Sequence, residues 1–456
     1  MAHEIPGPSD AGQPRTRGRR DPIFYGWFIV ATTFFMSFLA VGSRNGFSLF
    51  FAPWKDDFGW TVGEISVVAA IGTLVNAVTT PLLGNMYDRI GAKKVIVASL
   101  VAFGLGTVAL SLVGSLWMLT LFYGIVISFA ASGVSFVTTG PLISRWFNRK
   151  RGTAMAVQTA GVPVGGMIMV PFTGYLLLLM DWRLVWVILG LFILVIGLPL
   201  AMFVLKEDPK EMGLGPDGDG AKGGEADPRR RPSLALCAPP LECSRWRDAF
   251  RSAPVWQLSL AYFVCGATTT ALSVHFVPFV TSRGMSPAPA ATAFGLMMGL
   301  NVIGVLGAGY ISDRAGSKNL LASVYFVRGL AYALMIVFTS QSAIWLFAVV
   351  AGVSWIATVP LTYSLTREIY GIRTMGTLSG IITMSHQVGG ALTIWLTGWA
   401  FDRYDTYTPF WVAGASLLGV ATLLAFSIRE RALAARYQPP LSVQPAVAAA
   451  PAGAGS

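Results

Sequence analysis

One short phrase occurs twice in this chain. Residues Gly84 to Lys93 and Gly309 to Lys318 both read G-x-x-x-D-R-x-G-x-K, 225 positions apart, and each follows a long uncharged run. A charged hinge repeated between apolar segments predicts an internally duplicated membrane protein whose working site lies between its halves. The register extends well beyond the hinges. Phe51, Pro53 and Gly59 recur as Phe276, Pro278 and Gly284 at the same offset. Gly152, Gly165, Gly166, Asp181 and Gly190 recur as Gly376, Gly389, Gly390, Asp405 and Gly414 at an offset of 224.

Only 12% of the residues are charged and 54% are hydrophobic. A soluble chain carries about a quarter charged residues, and the remaining charges here are bunched. The charge-free runs predict helices near 23–52, 61–86, 95–112, 116–143, 152–180 and 184–205. A second set falls near 255–281, 288–311, 319–340, 343–366, 374–400 and 409–428. Two of the runs are too long for one span of roughly 20 residues; Ser111 to Ser115 and Gln341-Ser342 divide them. The expected fold is all-α and integral to a membrane, with twelve transmembrane helices as two parallel six-helix repeats. Residues 1–22 form a tail and 23–205 the first bundle. Residues 206–254 form a polar, flexible linker, 255–430 the second bundle, and 431–456 an Ala/Pro-rich tail expected to be disordered.

Lysine and arginine set the orientation. Loops on one face hold 27 of them, and the other face holds Lys55, Arg183, Arg283 and Arg403. The positive-inside rule makes the basic face, with both termini, cytoplasmic. The net charge of +11 is therefore a topology signal: it is spread over short loops, without the basic, aromatic-interleaved patch that nucleic acid requires. The first residues lack the short apolar core of a cleavable signal peptide. Cys237, Cys243 and Cys265 have no metal-ligand or disulfide spacing. No nucleophile–base set is visible, so neither an enzyme, a metal nor a cofactor is expected.

With its two hinges, the chain resembles the major facilitator superfamily. Further residues are similar to the monocarboxylate transporter family and its bacterial relatives. They are Gly26-Trp27, Asp57-Phe58-Gly59-Trp60, the run from Arg145 to Gly152, and His275-Phe276-Val277-Pro278. The resemblance covers about residues 23–430 and implies a carrier whose cavity is lined by helices 1, 4, 7 and 10. It also implies that Gly84, Asp88, Arg89, Gly309, Asp313 and Arg314 brace a gate on the basic face. There is one departure. Monocarboxylate carriers usually place an arginine on helix 8, where this chain reads Asn301-Val302-Ile303-Gly304-Val305-Leu306.

Within the spans the chemistry is sparse. Trp27 and Trp54 are read as marking the two interfaces of helix 1, which puts Arg44 about 5 Å from the midplane. Burying an arginine there costs at least ~2.5 kcal/mol, so it is expected to face the bundle interior. Its planar guanidinium suits a carboxylate; the competing role is a structural bond to helix carbonyls. Asn45 sits beside it, and His275, Asn301 and Trp355 are expected to contribute from the second half. Arg328 is expected to snorkel or to pack on a neighbour. His275 is the favoured proton carrier and His386 the weaker one, expected only to fill a hydrogen bond. Every Asp and Glu falls in a loop or near a helix end, whereas an exporter of cations needs a buried carboxylate.

The expected function is therefore secondary active transport of a small organic anion, with a carboxylate foremost, by alternating access. Proton symport or exchange would drive it. A monomeric multi-pass protein of the inner (cytoplasmic) membrane is expected, with its substrate, the lipid and protons as partners. The alternatives are an exporter of neutral or zwitterionic drug-like compounds and a membrane sensor that binds without transporting.

Overall fold

The structure is a computed structural model that describes residues 24–147, 150–218, 246–338, 340–370 and 375–429. For residues 84, 85, 88, 137, 151, 152, 313–315, 375 and 376 it describes the backbone alone. Both tails, the linker between 219 and 245, and the side chains of Asp88, Asp313 and Arg314 thus lie outside the described residues.

Among the described residues, twelve membrane-length helices follow one another. The first half holds α1 (Gly26–Phe58), α2 (Val62–Ile90), α3 (Ala92–Leu112), α4 (Leu116–Trp146), α5 (Arg151–Leu179) and α6 (Trp182–Val204). The second holds α7 (Ala253–Ser282), α8 (Pro287–Ala315), α9 (Ser317–Val337), α10 (Gln341–Tyr370), α11 (Met375–Tyr404) and α12 (Thr408–Ser427). The two expected divisions are present. Ser115 accepts a bond from Met118 N to start α4, and Ser340 does the same for Ala343 N at the start of α10. Among the described residues, eleven helices are apolar enough to be recognised as spans by hydropathy. The remaining one, α11, is 30 residues long and carries Ser385, His386 and Gln387 near its middle.

The duplication is visible in the backbone. Gly59 and Gly284 have φ of 70° and 84°, and Gly91 and Gly316 have φ of 91° and 84°. These are left-handed conformations that a Cβ resists, so each matched pair ends its helix in the same way. In the first hinge Lys93 N donates to Glu207 Oε1 at 3.3 Å, tying α3 to the beginning of the central segment. In the second, Ser317 Oγ donates to Glu368 Oε1 at 2.6 Å, a carboxylate at the end of α10. Residues 206–218 do not hang free. Trp146 Nε1 donates to Lys206 O at 3.0 Å, Lys150 N donates to Asp217 Oδ1 at 3.3 Å, and a 3-10 turn spans Pro209–Met212.

Within the halves, α1 packs along α5 and α7 along α11; between them, α2 meets α11 and α5 meets α8. The outer surface is aliphatic and aromatic, as lipid requires, with Leu423 and Phe203 largely exposed. Trp54 is fully buried between Phe47, Phe50, Trp182 and Trp186, so its ring packs within the bundle and does not face lipid. Helix α1 runs on to Phe58, where Asp57 accepts from Trp182 Nε1 at 2.9 Å and pairs with Arg183 at 3.1 Å.

Candidate functional site

Small residues let the halves approach along two seams. On one, Gly63 N donates to Asp402 Oδ2 at 2.8 Å, and Gly398 sits against Ser66 and Gly63. On the other, Gly174 faces Ala291, Gly295 faces Pro171, and Gly166 faces Met298. All these contacts lie between mid-membrane and the face opposite the basic loops. Towards the basic face, Gln387 Nε2 donates to Asn76 Oδ1 across the halves at 2.8 Å. Beyond it, a Cβ added at Gly307, Gly309 or Gly380 would meet nothing within 4 Å. The contacts described thus seal the halves toward the face opposite the basic loops. Arg89 is exposed, toward the basic face.

Arg44 is half-buried on α1, just before the helix tightens to a 3-10 turn at Gly46–Phe50. Its polar neighbour is the Tyr123 hydroxyl of α4. Tyr123 stacks on Phe47 with ring centroids 3.9 Å apart, and it lies in a π-helical stretch, Thr120–Ile127; such bulges recur at functional sites. Among the described residues no carboxylate pairs with Arg44. Asn45 Nδ2 lies beside Gly166, where Met298 of α8 crosses from the other half.

Asn301 and Trp355 come together elsewhere, at a break in α10. The helix ends at Ser354 and resumes at Thr358. In a membrane every backbone group freed by such a break needs a partner. Arg328 supplies two of them. Its guanidinium donates to Ser354 O and Trp355 O, and it also donates to Cys265 Sγ at 3.4 Å. Asn301 Oδ1 accepts from Ile356 N at 3.0 Å. Arg328 and Asn301 are 0% exposed and Trp355 is 2% exposed. Arg328 therefore packs inward against its neighbours and does not snorkel. Gly304, a turn beyond Asn301, allows α8 to touch Val353 O.

The histidines occupy different environments. His275 is fully buried in the sealed half, where Nε2 faces Ile394 O at 3.0 Å and Ser66 Oγ at 3.5 Å. The rings of Phe51 and Tyr407 flank it, and Nδ1 has no partner. His386 is half-buried on α11. It lies against the Tyr262 ring, with Thr269 and Gln387 at its two nitrogens.

The structure thus gathers Asn301, Trp355 and the unforeseen partner Arg328 at the helix break. It leaves Arg44 and Asn45 on the first half and places His275 in the sealed seam. Sequence reasoning missed Tyr123, Asn76 and Gln387. Two carboxamides deep in apolar runs are a readable signal, since each must find a partner inside the bundle.

These contacts form within a fold and a sequence that have relatives. The profile described as Major Facilitator Superfamily matches residues 33–394. An uncharacterised MFS-type transporter, YcxA of Bacillus subtilis, is 25% identical, the alignment spanning 89% of this chain and 96% of that protein. Monocarboxylate transporter 13 of Rattus norvegicus is 26% identical over 88% of each chain. Among solved structures, a bacterial homologue of the human lysosomal transporter Spinster superposes with a TM-score of 0.69 at 17% identity, over 92% of this chain and 98% of that one. Duplicated hinges, two six-helix halves, the profile match and these transporter relatives agree, and the chain belongs to the Major Facilitator Superfamily.

Proposed function

We propose that this transporter carries a small organic anion, a carboxylate foremost, across the cytoplasmic membrane, and that Arg44 is its anchor. The observation that supports this reading is a half-buried guanidinium in the middle of the apolar helix Gly26–Phe58, with no carboxylate paired to it among the described residues. A charge in that position is retained for use, since lipid disfavours it by ~2.5 kcal/mol or more. Asn45 and Tyr123 are suited to orient the anion beside it. The similarity to monocarboxylate transporters points the same way, and the missing arginine on α8 makes Arg44 the dominant contact.

The distribution of basic residues supports cytoplasmic termini. The sealed opposite face then corresponds to the inward-open state of an alternating-access cycle. Gly84, Asp88, Arg89 and their copies Gly309, Asp313 and Arg314 act at the gate that closes in the other state. Asn301 and Trp355 act at the α10 break, and His275 in the outer seam. Protons or a second anion supply the energy.

Purified protein reconstituted into vesicles and offered a panel of labelled carboxylic acids tests the reading. Saturable uptake of at least one acid, abolished by Arg44→Ala, is expected. Uptake confined to neutral or zwitterionic compounds would assign the chain to export of drug-like molecules, and binding without flux would make it a sensor.

A further inference from the structure

The first six letters of the hinge phrase occur once more, on the face opposite the basic loops. Gly398 to Arg403, near the end of α11, reads G-x-x-x-D-R. Residues four apart share one face of a helix. A glycine there lets α11 approach its neighbour, and the aspartate one turn later reaches the same surface. That surface is the start of α2, in the other half. A Cβ at Gly398 would strike Ser66 Oγ and Gly63 Cα, and Asp402 Oδ2 accepts from Gly63 N at 2.8 Å.

The start of α2 is otherwise capped from within. Thr61 Oγ1 accepts from Glu64 N at 3.2 Å, and Glu64 Oε2 accepts from Thr61 N at 2.9 Å. Gly63 N lies between these two groups and takes its acceptor from across the seam. The contact requires glycine, because a Cβ on Gly63 would run into Asp402 Oδ2. The carboxylate also sits where the positive end of the helix dipole favours a negative charge.

The duplicated copy of this seam is built differently. Gly174 precedes Gly398 by 224 positions, and Ser66 precedes Ala291 by 225. Gly174 faces Ala291 as Gly398 faces Ser66. The position matching Asp402, however, is Leu178, an exposed apolar side chain. A carboxylate therefore reaches across the α2–α11 seam, and its place on the α5–α8 seam is held by a residue that can accept no hydrogen bond.

We propose that Asp402 is the lock of the outer gate. Its bond to Gly63 N holds the halves together on the face opposite the basic loops, and it breaks when that face opens. The proposal rests on the alternating-access reading above and names the contact that sets the balance between the two states. Asp402 is a positioning residue: it acts on the populations of those states and binds no ligand.

Spin-label distances in full-length protein in lipid nanodiscs read the lock without any substrate. Cys237→Ser and Cys243→Ser remove the linker thiols, and Cys265 is buried. Labels at Lys55→Cys and Thr408→Cys, exposed on the two halves, span the outer face. A second pair, at Lys94→Cys and Asn319→Cys, spans the basic face. The parent protein should show mainly the short outer distance. Asp402→Ala should raise the ratio of long to short outer distances about fivefold, the scale of a charge at a helix N-terminus. Gly63→Ala should do the same, since its methyl group evicts the carboxylate while alanine remains a good helix former. Asp402→Asn keeps an oxygen acceptor without the charge and should shift the ratio about twofold. Arg403→Ala should leave it unchanged. An outer ratio unmoved in both Asp402→Ala and Gly63→Ala, or a parent protein already long on that face, overturns the proposal. If the basic-face pair of the parent shows two distances and neither ratio responds to Asp402→Ala, alternating access stands and the lock falls. If the outer pair lengthens and the basic-face pair does not shorten, the lock stands and alternating access falls. None of these readings depends on which acid is carried.

Discussion

Each half of the molecule carries one arginine inside the membrane, and the two are used in opposite ways. Arg44 is half-buried and bonds to the Tyr123 hydroxyl within its own half. Arg328 is 0% exposed and staples the broken α10 through the carbonyls of Ser354 and Trp355. Both are costly in lipid, and neither pairs with a carboxylate among the described residues. The contrast shows that an intramembrane charge has to be judged by what its hydrogen-bond donors already hold. The guanidinium of Arg328 is committed to the carbonyls of a broken helix, whereas that of Arg44, half-buried, is bonded to the Tyr123 hydroxyl.

The largest effect expected from this contrast is at Arg44. Arg44→Ala should reduce uptake about a hundredfold or more, the equivalent of ~3 kcal/mol for a charge-assisted bond, with expression and melting temperature unchanged. Arg44→Lys should restore it only in part, because an ammonium lacks the planar fork. Undiminished uptake by a well-folded Ala variant removes Arg44 from the site.

Arg328→Met should act on stability first. Freeing two carbonyls costs about 1–3 kcal/mol each, so the melting temperature should fall by roughly 5 °C or more. The contrast between the arginines breaks if this variant melts normally yet transports nothing. Asn301→Leu sharpens the same point with a smaller effect. One orphaned N–H at Ile356 should cost about 1–3 kcal/mol, seen in thermal melts, with substrate affinity little changed.

The smallest effect concerns the hinges, which repeat in sequence but draw their carboxylates from different places. Glu207→Gln should weaken the start of α3 by about 0.3–1 kcal/mol, the scale of a charge at a helix N-terminus. Hydrogen exchange at residues 91–95 should rise while α9 is unaffected, and Glu368→Gln should do the reverse. Equal changes at both hinges would show that each glutamate acts on the whole gate.

Much of this architecture is legible in the chain. Length, charge-free runs and the 225-residue offset suffice for twelve helices in two halves, because a bilayer imposes one span length and satisfies backbone groups only within helices. Even α11, the least apolar helix, is recoverable from its register with α5. The site is less legible. Arg328 and Arg44 look alike as isolated arginines in apolar runs, and Trp54 looks like an interfacial tryptophan. Nothing local distinguishes His386, half-buried against the Tyr262 ring, from His275, fully buried against Ile394 O.

By itself the sequence determined the membrane class, the duplication, the hinges and their turn glycines, and the placing of all carboxylates in loops or near helix ends. These follow from hydropathy, charge and backbone sterics, which act over a few residues. Only the tertiary structure decided which arginine is spent on a broken helix, which histidine is fully buried, and that Asn76 meets Gln387 across 311 positions of chain. A hydrogen bond depends on distance and direction between groups. Those are set by which helices pack together and at what rotation, so the partners of a buried polar atom are a property of the assembled bundle.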